Sequence, residues 1–198
     1  MTRQKLALLD FDGTLTKKDT LFEIIRFVHG KRNLYAGLCR LSPYLLLYKS
    51  GMIPNWKAKE KVLTHFFGNM PYDLFQKKCE QFARERLPAL MRKNALDVLR
   101  QFNDEDVKVI IVSASAENWV LPWCIAQKFE CVATRLETKN GKITGKISGK
   151  NCYGIEKVNR ISQAIDLSEY KTICVYGDSK GDKPMLALAT HAHYRAFH

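Results

Sequence analysis

Two carboxylates stand two residues apart in the run Leu9-Asp10-Phe11-Asp12-Gly13-Thr14. On an extended backbone, positions i and i+2 point to the same side, so Asp10 and Asp12 would both face whatever lies beyond this segment. Such a pair can exchange protons with a substrate, hold a cation, or only cap the next turn. A calcium loop is excluded, because the next ligand positions carry Thr14 and Thr16 and the twelfth is Leu21 where a bidentate glutamate is needed. Val112-Ser113-Ala114-Ser115 places hydroxyls and free backbone N–H groups just before a helical pattern. That is a seat for a phosphate, or simply a helix N-cap. Tyr176-Gly177-Asp178-Ser179-Lys180-Gly181-Asp182 adds two more acids, with Pro184 suited to the first turn of a following helix. Asp182 taken alone reads equally as an N-cap, a role Asp178 cannot share. Lys157, in Gly154-Ile155-Glu156-Lys157-Val158, would by default be a solvated helix lysine.

The elements that must position these groups are legible as hydrophobic periodicity. Four short apolar runs read as buried strands: Leu6 to Leu9, Val107 to Val112, Cys131 to Ala133 and Thr172 to Tyr176. Helical patterns alternate with them over Ala89 to Phe102, Asn118 to Phe129 and Val158 to Ile165. This order predicts an α/β fold, a Rossmann-like parallel sheet with helices on both faces. Four of the five chemical groups then fall at strand ends, the edge where open α/β sheets bind ligands.

Two segments break the alternation. Residues 16–86 hold no strand run but several helical ones, among them Leu21, Ile25 and Val28. Thr20 with Glu23 reads as a capping box, and Pro43, Pro54 and Pro71 mark expected breaks. This predicts an all-helical insertion after the first strand. Within Arg135 to Gly149, Asn140-Gly141 signals a tight hairpin.

Composition narrows the possibilities. The chain's 198 residues are 46% apolar and 26% charged, which fits one globular domain with an insertion. No run approaches the roughly 18 apolar residues of a membrane span, and Leu6 to Leu9 is too short for a secretory signal. Six cysteines without C-x-x-C pairing or nearby histidines fit a reduced, cytoplasmic protein. The 32 Lys and Arg against 20 Asp and Glu leave a net charge of +12, a bias toward anionic partners. Fourteen of the cations, against six acids, lie between Lys17 and Arg86. A basic nucleic-acid-binding module is disfavoured, since no helix-turn-helix, zinc-finger or RNP signature is present and such a module has no use for the acidic set.

Together the motifs resemble the haloacid dehalogenase superfamily, whose four motifs occur in this order. The first is Asp10 to Thr14, the second centres on Ser113, the third on Lys157, and the fourth runs from Gly177 to Asp182. The segment after the first motif is similar to the C1-type cap of the phosphoserine phosphatase-like branch, giving a core of residues 1–15 and 87–198 and a cap of 16–86. Within that branch, Val112 to Ser115, Ala133 to Leu136, Gly154 to Val158 and Tyr194 to Phe197 resemble bacterial proteins grouped near phosphatidylglycerophosphatase C. The resemblance implies phosphate monoester hydrolysis with Asp10 as nucleophile and Asp12 as acid and base, while Ser113 and Lys157 hold the phosphoryl oxygens. It implies Mg²⁺ held by Asp10, Asp12 through its carbonyl, and Asp178, with Asp182 in support, and substrate contacts from Thr14, Ala114 and Asp19.

Asp19 takes the place of a glutamate expected to engage the amine of phosphoserine; it reads equally as the residue ahead of the Thr20 cap. The cap also carries Leu34, Tyr35, Leu38, Leu41 and the run Tyr44 to Tyr48, flanked by Lys31, Arg32, Arg40 and Lys49. These residues would form either the cap's own core or a face for an anionic membrane at the cytoplasmic side. The implied partner is a phosphorylated small molecule or a lipid head group, with a lean toward phosphatidylglycerophosphate. Phosphoserine is the alternative.

Overall fold

In the computed structural model, which describes residues 5–198, strand β1 (Lys5–Leu9) lies at the centre of a parallel sheet. On one side it pairs with β2 (Lys108–Ala116), which pairs with β3 (Glu130–Thr134). On the other it pairs with β6 (Thr172–Gly177), beyond which lies β7 (His191–Tyr194). The period-2 alternation sorts the apolar residues between two cores. Ala7, Leu9, Val109 and Ile111 face α5 (Lys93–Asp104) and α6 (Glu117–Ala126), whereas Leu6, Leu8, Ile110 and Val112 face α7 (Ile155–Ala164) and α8 (Lys183–Leu186). All four predicted strands are present. The unpredicted fifth, β7, is a polar edge strand containing two histidines, and it lacks the apolar run that betrays a buried one.

Between β1 and β2 the chain departs into α1 (Thr20–Lys49), α2 (Asn55–Phe67), α3 (Tyr72–Glu85) and the single turn α4 (Leu87–Leu90). The outgoing and returning crossings run side by side: Lys17 N donates to Leu90 O and Arg92 N to Leu15 O, both at 2.8 Å. That crossing breaks the helix expected over Ala89 to Phe102, so α5 begins only at Lys93. The hairpin of β4 (Leu136–Lys139) and β5 (Lys142–Ile147) forms as Asn140-Gly141 predicts, with φ of 52° and 71° at the two turn residues. It also packs against α2 and reaches the turn before α3, where Ile143 N donates to Met70 O.

Two expectations for α1 are corrected. Asp19, not Thr20, is the N-cap, accepting a hydrogen bond from Leu21 N at 2.9 Å, so the Thr20–Glu23 capping box does not form. The break in α1 falls at Gly30 (φ 81°, ψ 163°) and not at Pro43. Pro43 and Cys39, whose carbonyl loses its usual N–H partner, are both exposed, so water can take that carbonyl. Pro54 and Pro71 do stand at the caps of α2 and α3.

Candidate active site

The chain leaves β1 for β2 on one side and returns to β6 on the other, so the strand order reverses beside β1. Crevices at such reversals, beyond the carboxyl ends of the strands, are where open α/β sheets bind ligands. Asp10 follows β1 there, its N–H donating to Tyr176 O of β6 at 3.0 Å. The chain then turns tightly over Phe11–Leu15. Gly13 makes that turn possible at φ 84°, and a Cβ on it would lie 2.5 Å from Asp178 Oδ2. The missing side chain lets Asp178 approach.

Lys157 is the pivot. It projects from the first turn of α7 and is 1% exposed, against the default for a helix lysine. Its Nζ donates to Asp10 Oδ1 at 2.5 Å, Asp182 Oδ1 at 2.6 Å and Val112 O at 2.9 Å. Three acceptors match the three N–H bonds of an ammonium. Burial works against its charge, but Asp10 and Asp182 hold its pKa well above the ordinary lysine range. Asp182 Oδ2 accepts from Ser179 Oγ at 2.7 Å and from the backbone N–H groups of Ser179 and Asp178. Burial opposes its ionisation, yet Lys157 and Ser179 outweigh it and keep the carboxyl below the usual range. Asp182 thus does take part in a helix cap, reciprocating Ser179, while holding Lys157 as well.

The other acids surround this pair. Thr14 Oγ1 lies 3.0 Å from Asp10 Oδ2 and 3.2 Å from Asp178 Oδ1, joining the two carboxylates. Carboxylate oxygens of Asp10, Asp178 and Asp182 lie within 4.8 Å of one another. Burial, with Asp182 and Asp12 nearby, pushes Asp10 up to about 7 despite Lys157. The cluster is short of positive charge. Hard oxygen donors, excess negative charge and the close approach of Asp178 that Gly13 permits together suit a small divalent cation such as Mg²⁺.

The Asp12 carboxyl has partners of its own. Its Oδ1 accepts from Thr20 N at 2.7 Å, at the start of α1, and its Oδ2 accepts from Ser115 Oγ at 2.5 Å. Trp119 Nε1 donates to Thr20 Oγ1, which is 3.2 Å from Ser115 Oγ. Neither serine of the second motif caps α6, whose N-cap is Ala116. Ser113 Oγ instead accepts from Ser115 N at 3.0 Å. The sequence reads Ser115 as part of a phosphate seat or as a cap and Thr20 as a cap, neither as a partner of Asp12, and Trp119 carries no signal.

Lys59 of α2 was also missed, being one of fourteen cations in its stretch of sequence. Its Nζ crosses to Ala114 O at 2.6 Å and lies 3.4 Å from Asn151 Oδ1. Burial lowers its pKa, while Asp12 and Asp19 pull it up. Asp19 is itself raised to about 6, by burial first and by Asp12 second. All nine residues singled out from the sequence, Asp10, Asp12, Thr14, Asp19, Ser113, Ala114, Lys157, Asp178 and Asp182, therefore lie within or directly against this one network.

Residues 7–187 match the sequence pattern of the haloacid dehalogenase-like hydrolases. The chain belongs to that family. Among curated relatives of this hydrolase is Protein CicA of Caulobacter vibrioides, 31% identical over 194 residues, spanning 97% of this chain and 86% of the relative. A Bordetella pertussis protein of unknown function superposes with a TM-score of 0.80 at 24% identity, over 96% of this chain and 88% of the other. A phosphoserine phosphohydrolase-like protein of Francisella tularensis gives 0.67 at 16% identity, over 93% and 82%. A phosphoserine phosphatase captured as a phospho-aspartyl intermediate analogue gives 0.60 at 22% identity, over 94% and 84%. The shared architecture is that of the phosphoserine phosphatase-like hydrolases.

Proposed function

We propose that this hydrolase cleaves phosphate monoesters through a phosphorylated Asp10. The observation that carries the reading is Lys157, buried between Asp10 and Asp182, with Asp178 close to both acids at the strand-order reversal. In the first step an Asp10 carboxylate oxygen attacks phosphorus, and the bond from phosphorus to the leaving oxygen breaks. Asp12 gives that oxygen its proton. In the second step water attacks the phosphoryl group, Asp12 takes the water's proton, and the bond to Asp10 breaks, releasing inorganic phosphate. Ser115 and the Thr20 N–H hold the Asp12 carboxyl from both oxygens, fixing its orientation for both transfers. Ser113 and Lys157 stabilise charge on the phosphoryl oxygens. Asp10, the Asp12 carbonyl and Asp178 would hold Mg²⁺, with Asp182 steadying Asp178 through its N–H and Lys157 through its charge. Bound there, the ion would neutralise phosphoryl charge as a Lewis acid.

Residues 16–86 serve in this reading as the cap that selects the substrate. Lys59, the cation that reaches over the site from α2, favours substrates with a second anionic group beside the phosphomonoester, as in phosphatidylglycerophosphate. One observation favours phosphoserine instead: Asp19 and Lys59 lie close enough to couple electrostatically, and an acid with a cation suits an amino-acid zwitterion.

The test is hydrolysis of p-nitrophenyl phosphate, phosphoserine and phosphatidylglycerophosphate with added Mg²⁺. Asp10→Asn is expected to lose roughly 10⁴-fold or more in kcat while keeping its fold, with Lys157 still held by Asp182 and Val112 O. EDTA should silence the parent and Mg²⁺ restore it. Substantial turnover by Asp10→Asn would remove Asp10 as the nucleophile.

A further inference from the structure

The apolar and aromatic run of the helical segment had two readings, as internal core or as an outward face. The structure divides it. Leu34 is buried, and Leu38, Leu41 and Leu45 pack partly against the core. Tyr35, Leu46, Leu47 and Tyr48 are exposed. The turn after α1 and the start of α2 extend this exposed group with Met52 and Trp56; Leu46 and Met52 are 64% and 69% exposed. Asn55 Nδ2 donates to the Tyr48 hydroxyl at 3.0 Å, tying the end of α1 to the start of α2. The patch is therefore a fixed hairpin tip and not a set of scattered side chains.

Its charge is as distinctive as its apolarity. From Lys31 to Lys61 there are seven Lys and Arg residues and a single acid, Glu60. Half of the chain's net positive charge lies in this stretch. Ammonium groups sit over its rings: Lys31 over Tyr35 at 5.9 Å, Lys57 over Trp56 at 5.4 Å and Lys61 over Tyr44 at 5.4 Å. Apolar side chains flanked by aromatic rings and cations belong to the boundary between acyl chains and head groups. Among the described residues no helix is long and apolar enough to cross a membrane, so contact through this tip would be peripheral.

The tip also adjoins the site. Trp56 precedes Lys59 by three positions on α2, so the two share a helix face one turn apart. Asn151, which Lys59 also approaches, is followed by the exposed Tyr153 and Ile155 on the sheet side.

We propose that the α1–α2 hairpin tip, residues 46–56, docks on an anionic lipid bilayer. Leu46, Leu47, Met52 and Trp56 enter the head-group boundary, and Lys49, Lys57 and Lys61 meet acidic lipid phosphates. Docking itself requires no turnover. Its consequence, that a phosphorylated lipid head group arrives one helical turn from Lys59, rests on the phosphatase reading above.

The protein carries its own probe. Of its three tryptophans, Trp119 and Trp123 are buried and Trp56 is exposed, so a fluorescence change on adding vesicles reports the tip. With phosphatidylcholine vesicles containing about one-third phosphatidylglycerol, at low salt, the emission should shift to the blue and the protein should float with the vesicles. Each of Lys49→Glu and Lys57→Glu should weaken binding about fivefold or more, and raised salt should weaken it further. A Leu46→Ser, Met52→Ser, Trp56→Ser variant, altered only at exposed side chains, should fold normally and fail to float. Asp10→Asn should float like the parent, which separates docking from catalysis. The proposal is overturned if the parent does not bind these vesicles, if it binds pure phosphatidylcholine equally well, or if the triple variant still floats. Sedimentation showing a stable dimer with Trp56 shielded would overturn it too, by giving the patch to a second copy of the chain.

Discussion

The two walls of the site are built differently. On the sheet side, Lys157 meets three acceptors and Asp182 four donors. On the helical side, Lys59 reaches the strand end from α2, and beyond it the surface is apolar, cationic and exposed. A closed polar network tolerates little change, because any member removed strands its partners away from water. Apart from Thr20, whose N–H holds Asp12, this wall contributes one ammonium that can vary without disturbing the rest. The groups proposed to react thus sit where substitution is costly, and the wall proposed to choose the substrate sits where it is cheap.

Lys157→Met would test the rigid wall with the largest effect. It leaves Asp10 and Asp182 facing each other in a buried space with no cation between them. Breaking a buried pair this way costs about 3–5 kcal/mol, a fall in Tm on the order of 10 °C for a chain of this length, and hydrolysis should be lost as well. Adding Asp182→Asn to the same variant should recover part of the stability but none of the activity. Urea unfolding measures the first quantity and aryl phosphate turnover the second. If Lys157→Met unfolds at the parental midpoint, the network does not brace this wall.

Ser115→Ala is a smaller and more selective disturbance. It removes the 2.5 Å hydrogen bond to Asp12 Oδ2 but keeps the Thr20 N–H on Oδ1. A hydrogen bond to a charged group contributes about 1.5–3 kcal/mol. Since the proposed role of the Asp12 carboxyl is proton transfer, the loss should appear as a roughly 10- to 100-fold fall in kcat with KM little changed. Steady-state kinetics on p-nitrophenyl phosphate decides it, and an unchanged kcat would reduce Ser115 to a packing role.

The contrast between the walls also sets what the sequence could reveal. Asp10, Asp12, Ser113, Asp178 and Asp182 were legible because each follows the apolar run that announces a strand, and parallel topology sends all such runs to one edge. Lys157 was legible only through its place in a known order of motifs, since nothing local marks a helix lysine as buried. Ser115 reaches Asp12, and Ser115 and Trp119 reach Thr20, across about a hundred residues of sequence, and periodicity is blind to such contacts. The Thr20–Glu23 pattern misplaced the cap by one residue because Asp19 offered a competing oxygen and Thr20 turned inward to the tryptophan. Lys59 was illegible because its use depends on how α2 lies over β2, which no local pattern encodes. The exposed face of the helical segment was visible as composition, but only the fold could separate Leu34, which is buried, from Leu46, which is not.

Lys59→Met is the finest probe of the difference between the walls. Lys59 is held in a setting that disfavours its charge, with Asp12 and Asp19 only partly offsetting the burial. Methionine keeps most of the length of the side chain and relieves that cost while giving up the bond to Ala114 O. Stability should therefore hold or rise slightly, the reverse of Lys157→Met. The kinetic effect should fall on binding: KM for a substrate carrying a second anion should rise about tenfold, the value of one lost charged hydrogen bond, with a smaller rise for p-nitrophenyl phosphate, which has no such group. Thermal unfolding and paired KM measurements on the two substrates check both halves. A loss of stability comparable to that of Lys157→Met would mean that the helical wall is as tightly braced as the sheet wall. An equal rise in KM for both substrates would mean that Lys59 serves the phosphomonoester itself and not the rest of the molecule attached to it.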